Sequence, residues 1–150
     1  MPSKAEGTTY LIKLHAYNQE HLFGSVQRGS VCLNDIGHIA ADEWVQSSRN
    51  RQEIELDGWA ILPNYIQGIV VVQPKIAIRE AAGYDQIRQV QKPRSLSAFV
   101  AGFKAAAAKR INLLRNNPGL PVWERSYRER LLYTPAQLDY TRQSLQEYPL

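Results

Sequence analysis

Strand-forming residues dominate Tyr10-Leu11-Ile12-Lys13-Leu14-His15-Ala16-Tyr17, which predicts a first strand. Ser25-Val26 and Ser30-Val31-Cys32-Leu33 flank Gln27-Arg28-Gly29, the pattern of a short hairpin. Asn34 is placed to cap a helix and Asp35 suits its first turn. From 36 to about 47, Ile36, Ile39, Ala40 and Trp44 recur at helical spacing. Ile54-Glu55-Leu56 then leads into an apolar strand, Trp59-Ala60-Ile61-Leu62. After Pro63-Asn64 comes a second, Ile69-Val70-Val71-Val72, its predicted antiparallel neighbour. Gly58 inside this pattern marks a bulge or a close backbone approach.

From Pro74 to Pro93 the pattern is weak and reads as a loop, with a short helix at 77–82 as its one candidate element. Ser95 or Ser97 is the predicted cap of a long helix ending near Asn116-Asn117-Pro118-Gly119. Its stripe is Leu96, Phe99, Val100, Phe103, Ala107, Ile111 and Leu114. Val122-Trp123 is predicted as a short strand. Thr134-Pro135 opens a last helix running from 136 to about 148. This order predicts a single α+β domain over residues 1–150, with helices packed on one face of an antiparallel sheet.

Composition narrows the function classes. The chain is 44% hydrophobic and 21% charged, ordinary for a globular protein. No apolar run approaches the roughly 18–20 residues that cross a bilayer. Met1-Pro2-Ser3-Lys4-Ala5-Glu6 lacks the apolar core of a secretory leader. A lone Cys32 cannot form an intramolecular disulfide, so a cytoplasmic protein is expected. The net charge of +4 is unevenly spread: residues 88–130 hold ten basic side chains against Glu124 and Glu129 alone. Such a field points to a polyanionic partner.

The stretch Leu56-Asp57-Gly58-Trp59-Ala60-Ile61-Leu62-Pro63-Asn64, followed by Tyr65-Ile66-Gln67-Gly68, resembles the IS200-like transposases, in particular the REP-associated tyrosine transposases. His21-Leu22-Phe23-Gly24, Leu33-Asn34-Asp35-Ile36-Gly37, Phe103-Lys104, Lys109-Arg110-Ile111-Asn112 and Pro121-Val122-Trp123-Glu124-Arg125-Ser126-Tyr127 extend the similarity, in order, over nearly the whole chain. The resemblance implies a ferredoxin-like sheet-and-helix fold. It also implies cleavage of single-stranded DNA by a tyrosine that becomes linked to the DNA 5′ end, assisted by a divalent ion on two histidines. Imidazoles two positions apart on a strand share a face and reach one ion.

This chain departs from the pattern at each of those places. The two histidine positions are Tyr65 and Gln67, and counting into the last helix puts the nucleophile's position at Ser144. A phenol is neutral near pH 7 and ligates poorly. A glutamine carbonyl is a weak ligand for Mg²⁺ or Mn²⁺, although related replication nucleases tolerate it. Tyr140 and Tyr148 lie one turn either side of Ser144 and are the fallback nucleophiles, each displaced by about 5–6 Å. Core packing is the expected role of Tyr140. Hence no metal and no catalytic residue are expected, and Mg²⁺ or Mn²⁺ matters only if cutting survives.

The resemblance further implies a DNA partner, hairpin or single-stranded, and allows both monomers and homodimers. Lys92, Arg94, Lys104, Lys109, Arg110, Arg115, Arg125, Arg128 and Arg130 are the candidate DNA contacts, with Trp123 or Tyr127 as stacking candidates beside a core role for Trp123. Arg110 falls near the apolar stripe, so it must snorkel outward or meet a buried acid. A cleavage-incompetent DNA-binding protein is the leading expectation. The alternatives are a residual nuclease using Gln67, Asp57 and Tyr140 or Tyr148, and a decayed product with no activity.

Overall fold

The computed structural model describes residues 7–74 and 92–146. The chain forms β1 (Thr8–His15), a 3-10 turn (Tyr17–Gln19), β2 (Gly24–Gln27), β3 (Ser30–Leu33), α1 (Asp35–Arg49), β4 (Ile54–Leu62) and β5 (Tyr65–Val72). Then follow α2 (Lys92–Leu114), β6 (Arg128–Leu131) and α3 (Pro135–Gln146). Four strands make an antiparallel sheet in the order β4-β5-β1-β6, and β2 and β3 pair separately. This is the expected α+β architecture, an antiparallel sheet carrying helices.

Local chemistry explains most boundaries. Arg28 and Gly29, at φ 55° and 78°, turn the β2–β3 hairpin in the left-handed conformation that such tight turns demand. Asn34 caps α1 by accepting from the Gly37 N–H at 2.8 Å. Thr134 caps α3: its Oγ1 accepts from the Gln137 N–H at 3.1 Å, and the Gln137 side chain accepts in return from the N–H groups of Tyr133 and Thr134. The β4–β5 hairpin turns at Pro63-Asn64, with Leu62 opposite Tyr65. Its register shifts between Leu56 and Trp59, the bulge expected at Gly58.

Three expectations need correction. The long helix begins at Lys92, so neither Ser95 nor Ser97 caps it, and Ser95 is buried within the helix. Pro93 explains the earlier start, because a first-turn residue needs no N–H donor. Val122-Trp123 forms no strand of its own; Trp123 makes a single bridge to Ala16. Arg128–Leu131, by contrast, is a strand that the pattern did not announce. The expected loop from Pro74 to Pro93 lies almost wholly outside the described residues, and its helix at 77–82 entirely so.

The core lies between one sheet face and helices α1 and α2. Tyr10, Ile12 and Leu14 of β1 and Ile66, Val70 and Val72 of β5 face Trp44, Leu96, Phe99, Phe103 and Ile111. Trp44 sits at the centre, with Phe99 and Phe103 edge-on at 5.4 and 5.1 Å between ring centroids. Gly68 lies beneath it, where a Cβ would stand 2.8 Å from the Trp44 ring and 3.0 Å from Trp59 Cβ.

The third helix, α3, packs on β4 and β5 from the other side of the sheet. Leu145 reaches Gly58, and Arg142 makes a bidentate ion pair with Asp57 at 2.8 and 2.9 Å. Ile69 and Val71, which alternate away from the first core, are nonetheless fully buried. Gly68→Ala should destabilise the fold by about 1–3 kcal/mol, because the added methyl overpacks the indole seat. Chemical denaturation would show a lowered midpoint, partly recovered when Trp44→Phe is added.

Candidate nucleic-acid interface

The strand alternation of β1 and β5 sends Lys13 and His15, Tyr65 and Gln67 to the sheet face opposite Trp44. Register then builds two transverse rows. In one, Arg128 of β6, Lys13 of β1, Gln67 of β5 and Ala60 of β4 stand side by side. In the next, His15, Tyr65 and Leu62 do so. The Lys13 ammonium lies 4.4 Å from the centroid of the Tyr65 ring, and the His15 ring packs on the same tyrosine at 5.5 Å. Since α3 docks at the far end, over Asp57 and Gly58, this end of the face is only partly covered.

The local field is positive. The His15 imidazole is held below its usual value by burial first, then by Lys13 and Arg128, with Glu124 opposing them. Tyr65 and Gln67 do share a face, as two ligands must, but their donor set is a phenol and a neutral amide. A lysine ammonium is placed directly over the phenol. That chemistry does not fit a divalent cation, which favours anionic oxygen or imidazole and is repelled by fixed positive charge. Among the described residues, no group of three or more His, Cys, Asp or Glu side chains is placed to hold a metal.

The fallback groups are placed as follows. α3 turns Leu138, Thr141, Arg142 and Leu145 toward the sheet, while Ser144 is exposed. Tyr140 is 70% exposed, which corrects its expected core packing: it projects from the flank, not the buried stripe. Tyr148 lies outside the described residues. The Asp57 carboxylate is almost fully buried in its ion pair with Arg142 and also accepts from the Gly58 N–H at 2.7 Å. It is a clasp for α3 on the β4 bulge.

The nine basic candidates divide sharply. Lys104 donates to the backbone carbonyls of Glu124 and Arg125 at 2.8 and 3.2 Å, and burial lowers its ammonium's pKa. Arg115 donates to Asn112 Oδ1 and to the Pro121 carbonyl, folding the loop after α2. Arg110 meets Asp42 at 2.8 Å and the largely buried Glu43 at 3.1 Å on α1, the second of its two predicted fates. These three act within the protein.

Lys109 and Arg125 are exposed. Arg128 and Arg130 are exposed on β6, their register partners being Lys13 and Leu11. The side chains of Lys92 and Arg94 lie outside the described residues. Trp123 takes its core role: it packs against Phe23 and Phe103 and donates to the Lys104 carbonyl. Tyr127 is half-buried, its hydroxyl donating to Glu129 at 3.1 Å. Lys13 and His15 join this face without standing out in the sequence, where their polar alternation against Ile12 and Leu14 is the one signal for them.

Protonation of His15 is harder in the folded chain than in the unfolded one. Its contribution to stability is therefore present above pH 6.5 and is lost as pH falls below that value toward the folded pKa. Proton NMR should place the imidazole's titration midpoint below 6.5. Lys13→Gln should move it part of the way back, burial being the larger cause. An unmoved midpoint would contradict this electrostatic account.

No family model matches the chain. An uncharacterised protein of Haemophilus influenzae is 25% identical over 127 residues, which cover 82% of this chain and 69% of that one. Among solved structures, the fold is similar to that of a REP-associated tyrosine transposase bound to a REP hairpin, with a TM-score of 0.57 and 12% sequence identity. That match covers 93% of this chain and 65% of the transposase, so the chain spans about two-thirds of its length. The fold is thus shared with a tyrosine transposase at low sequence identity.

Proposed function

We propose that this chain is a member of the IS200-like, REP-associated transposase lineage that binds hairpin or single-stranded DNA without cutting it. One observation carries the proposal: Lys13 and Arg128 bring fixed positive charge to the face on which the family's metal ligands would stand. Fixed cations attract a phosphodiester much as a metal does. They do not supply the open coordination site that polarises a scissile bond and a leaving oxygen together.

The nucleophile side supports the same conclusion. A serine hydroxyl on the exposed flank of α3 needs a base, and the nearby carboxylate candidate, Asp57, is committed to Arg142. Tyr140 lies a full turn from the family's position, too far for in-line attack on a phosphate held at the original place. The similarity to a transposase bound to a DNA hairpin supports nucleic acid as the partner. An exposed, unpaired Cys32 is compatible with a reducing compartment such as the cytoplasm. Among the described residues no helix is long and apolar enough to cross a membrane.

Incubating the protein with Mn²⁺ and a hairpin carrying a bridging phosphorothiolate should yield no covalent adduct on a denaturing gel. An adduct mapped to Tyr140, Ser144 or Tyr148 would overturn the cleavage-incompetent reading. In parallel, the logarithm of hairpin affinity should fall linearly with the logarithm of salt concentration. Affinity that is undetectable even at low salt would leave the decayed protein as the better account.

A further inference from the structure

Lys13 and Arg128 are directly opposite one another on neighbouring strands. Such a pair holds its Cβ atoms about 4.5–5.5 Å apart, and like charges there are destabilising. Among the described residues neither side chain meets a carboxylate; the close contact of Lys13 is the Tyr65 ring. Acids are nearby, but they are engaged elsewhere. Glu124 accepts from the Asn18 N–H at 2.7 Å, and Glu129, one residue along β6, accepts from the Tyr127 hydroxyl. Glu129 also pairs with Ile12, so it belongs to the opposite face.

The row does not end with two cations. Gln67 is the register partner of Lys13 on its other side, and beyond it stands Ala60, whose methyl leaves the amide uncrowded. Three donor side chains therefore line up across neighbouring strands, spanning about 10 Å at the usual strand spacing. The cation–π contact with Tyr65 holds the Lys13 ammonium over the sheet instead of leaving it to roam.

We propose that Arg128 and Lys13 form a phosphate-binding subsite, flanked by the Gln67 amide, that grips one phosphodiester of the bound strand where a divalent ion would otherwise engage it. The repulsion between the two cations is then the stored cost of a preorganised anion site, relieved on binding. This assignment rests on the proposed DNA-binding reading and specifies which atoms do the holding. Tyr65 serves as the platform that positions the ammonium.

The test compares wild type with Lys13→Gln, Arg128→Gln and the double variant. Arg49→Gln, at the exposed end of α1 in the other layer, serves as the charge control. For binding to a fluorescent hairpin with a single-stranded tail, each single variant should lose about tenfold in affinity, as expected for one charge-assisted contact. The slope of log affinity against log salt should shallow by about 1. The double variant should lose less than the product of the single losses, because both cations hold one phosphate. Arg49→Gln should change little.

Two thermal readouts separate a binding role from a structural one. Without ligand, either single variant should melt at or above the wild-type temperature, since a repulsive pair has been removed. Inorganic pyrophosphate should raise the wild-type melting temperature more than that of either variant. Fully multiplicative losses, or variants that bind as wild type does, would overturn the subsite while leaving DNA binding intact. If the hairpin does not bind at all but pyrophosphate still discriminates wild type from the variants, the DNA reading fails and the phosphate site stands. If pyrophosphate discriminates but the variants bind the hairpin normally, the site takes free phosphate and its assignment to the DNA backbone fails.

Discussion

A single tryptophan over a single glycine organises this molecule. Trp44 descends from α1 onto Gly68 of β5 and is closed in by Phe99 and Phe103 of α2. No side chain larger than hydrogen fits beneath the indole without displacement, so α1, α2 and the centre of the sheet are fixed to one another at that point. This constraint also sets the register of the opposite face. Gly68 must face Trp44, so its neighbour Gln67 must face the other way, and with it Tyr65. The short segment Tyr65-Ile66-Gln67-Gly68 thus keeps its geometry for a packing reason, whatever ligands its outward residues supply.

The outward face of the sheet is polar where the inward face is apolar. Tyr65 and Gln67 supply a phenol and an amide there, and the neighbouring strands contribute an ammonium and a guanidinium. Positive charge is thus carried by side chains beside that phenol. Helix α3 is docked on the sheet, clasped through Arg142 to a carboxylate on the β4 bulge. What it presents around that clasp is an exposed serine and an exposed tyrosine.

Features written in neighbouring residues were legible in the sequence. The Asn34 cap, the Arg28-Gly29 turn, the Thr134-Pro135 helix start and the bulge at Gly58 each depend on a few adjacent side chains. The sheet-and-helix class was legible because its apolar runs are long. β6 was not, since Arg128-Glu129-Arg130-Leu131 shows no apolar face and gains its strand character only by pairing with β1. The same gap hid the cross-strand pair of cations: Lys13 and Arg128 meet through a register that no local pattern encodes. Basic character alone also misled. Lys104 and Arg115 look like surface cations in the sequence, yet each is engaged with carbonyls of its own chain, whereas Arg110 met the acid that its place near the apolar stripe allowed. Aromatic character misled in the same way at Tyr140.

The short outer strand has a second consequence. Among the described residues β6 closes one side of the sheet, and its outer amides and carbonyls are the ones a neighbouring molecule would pair with to extend it. Its four residues are all exposed, and three of them are charged. A second copy adding itself edge to edge would have to bring its own arginines against these. The same charges therefore deter self-association into fibrils along that border.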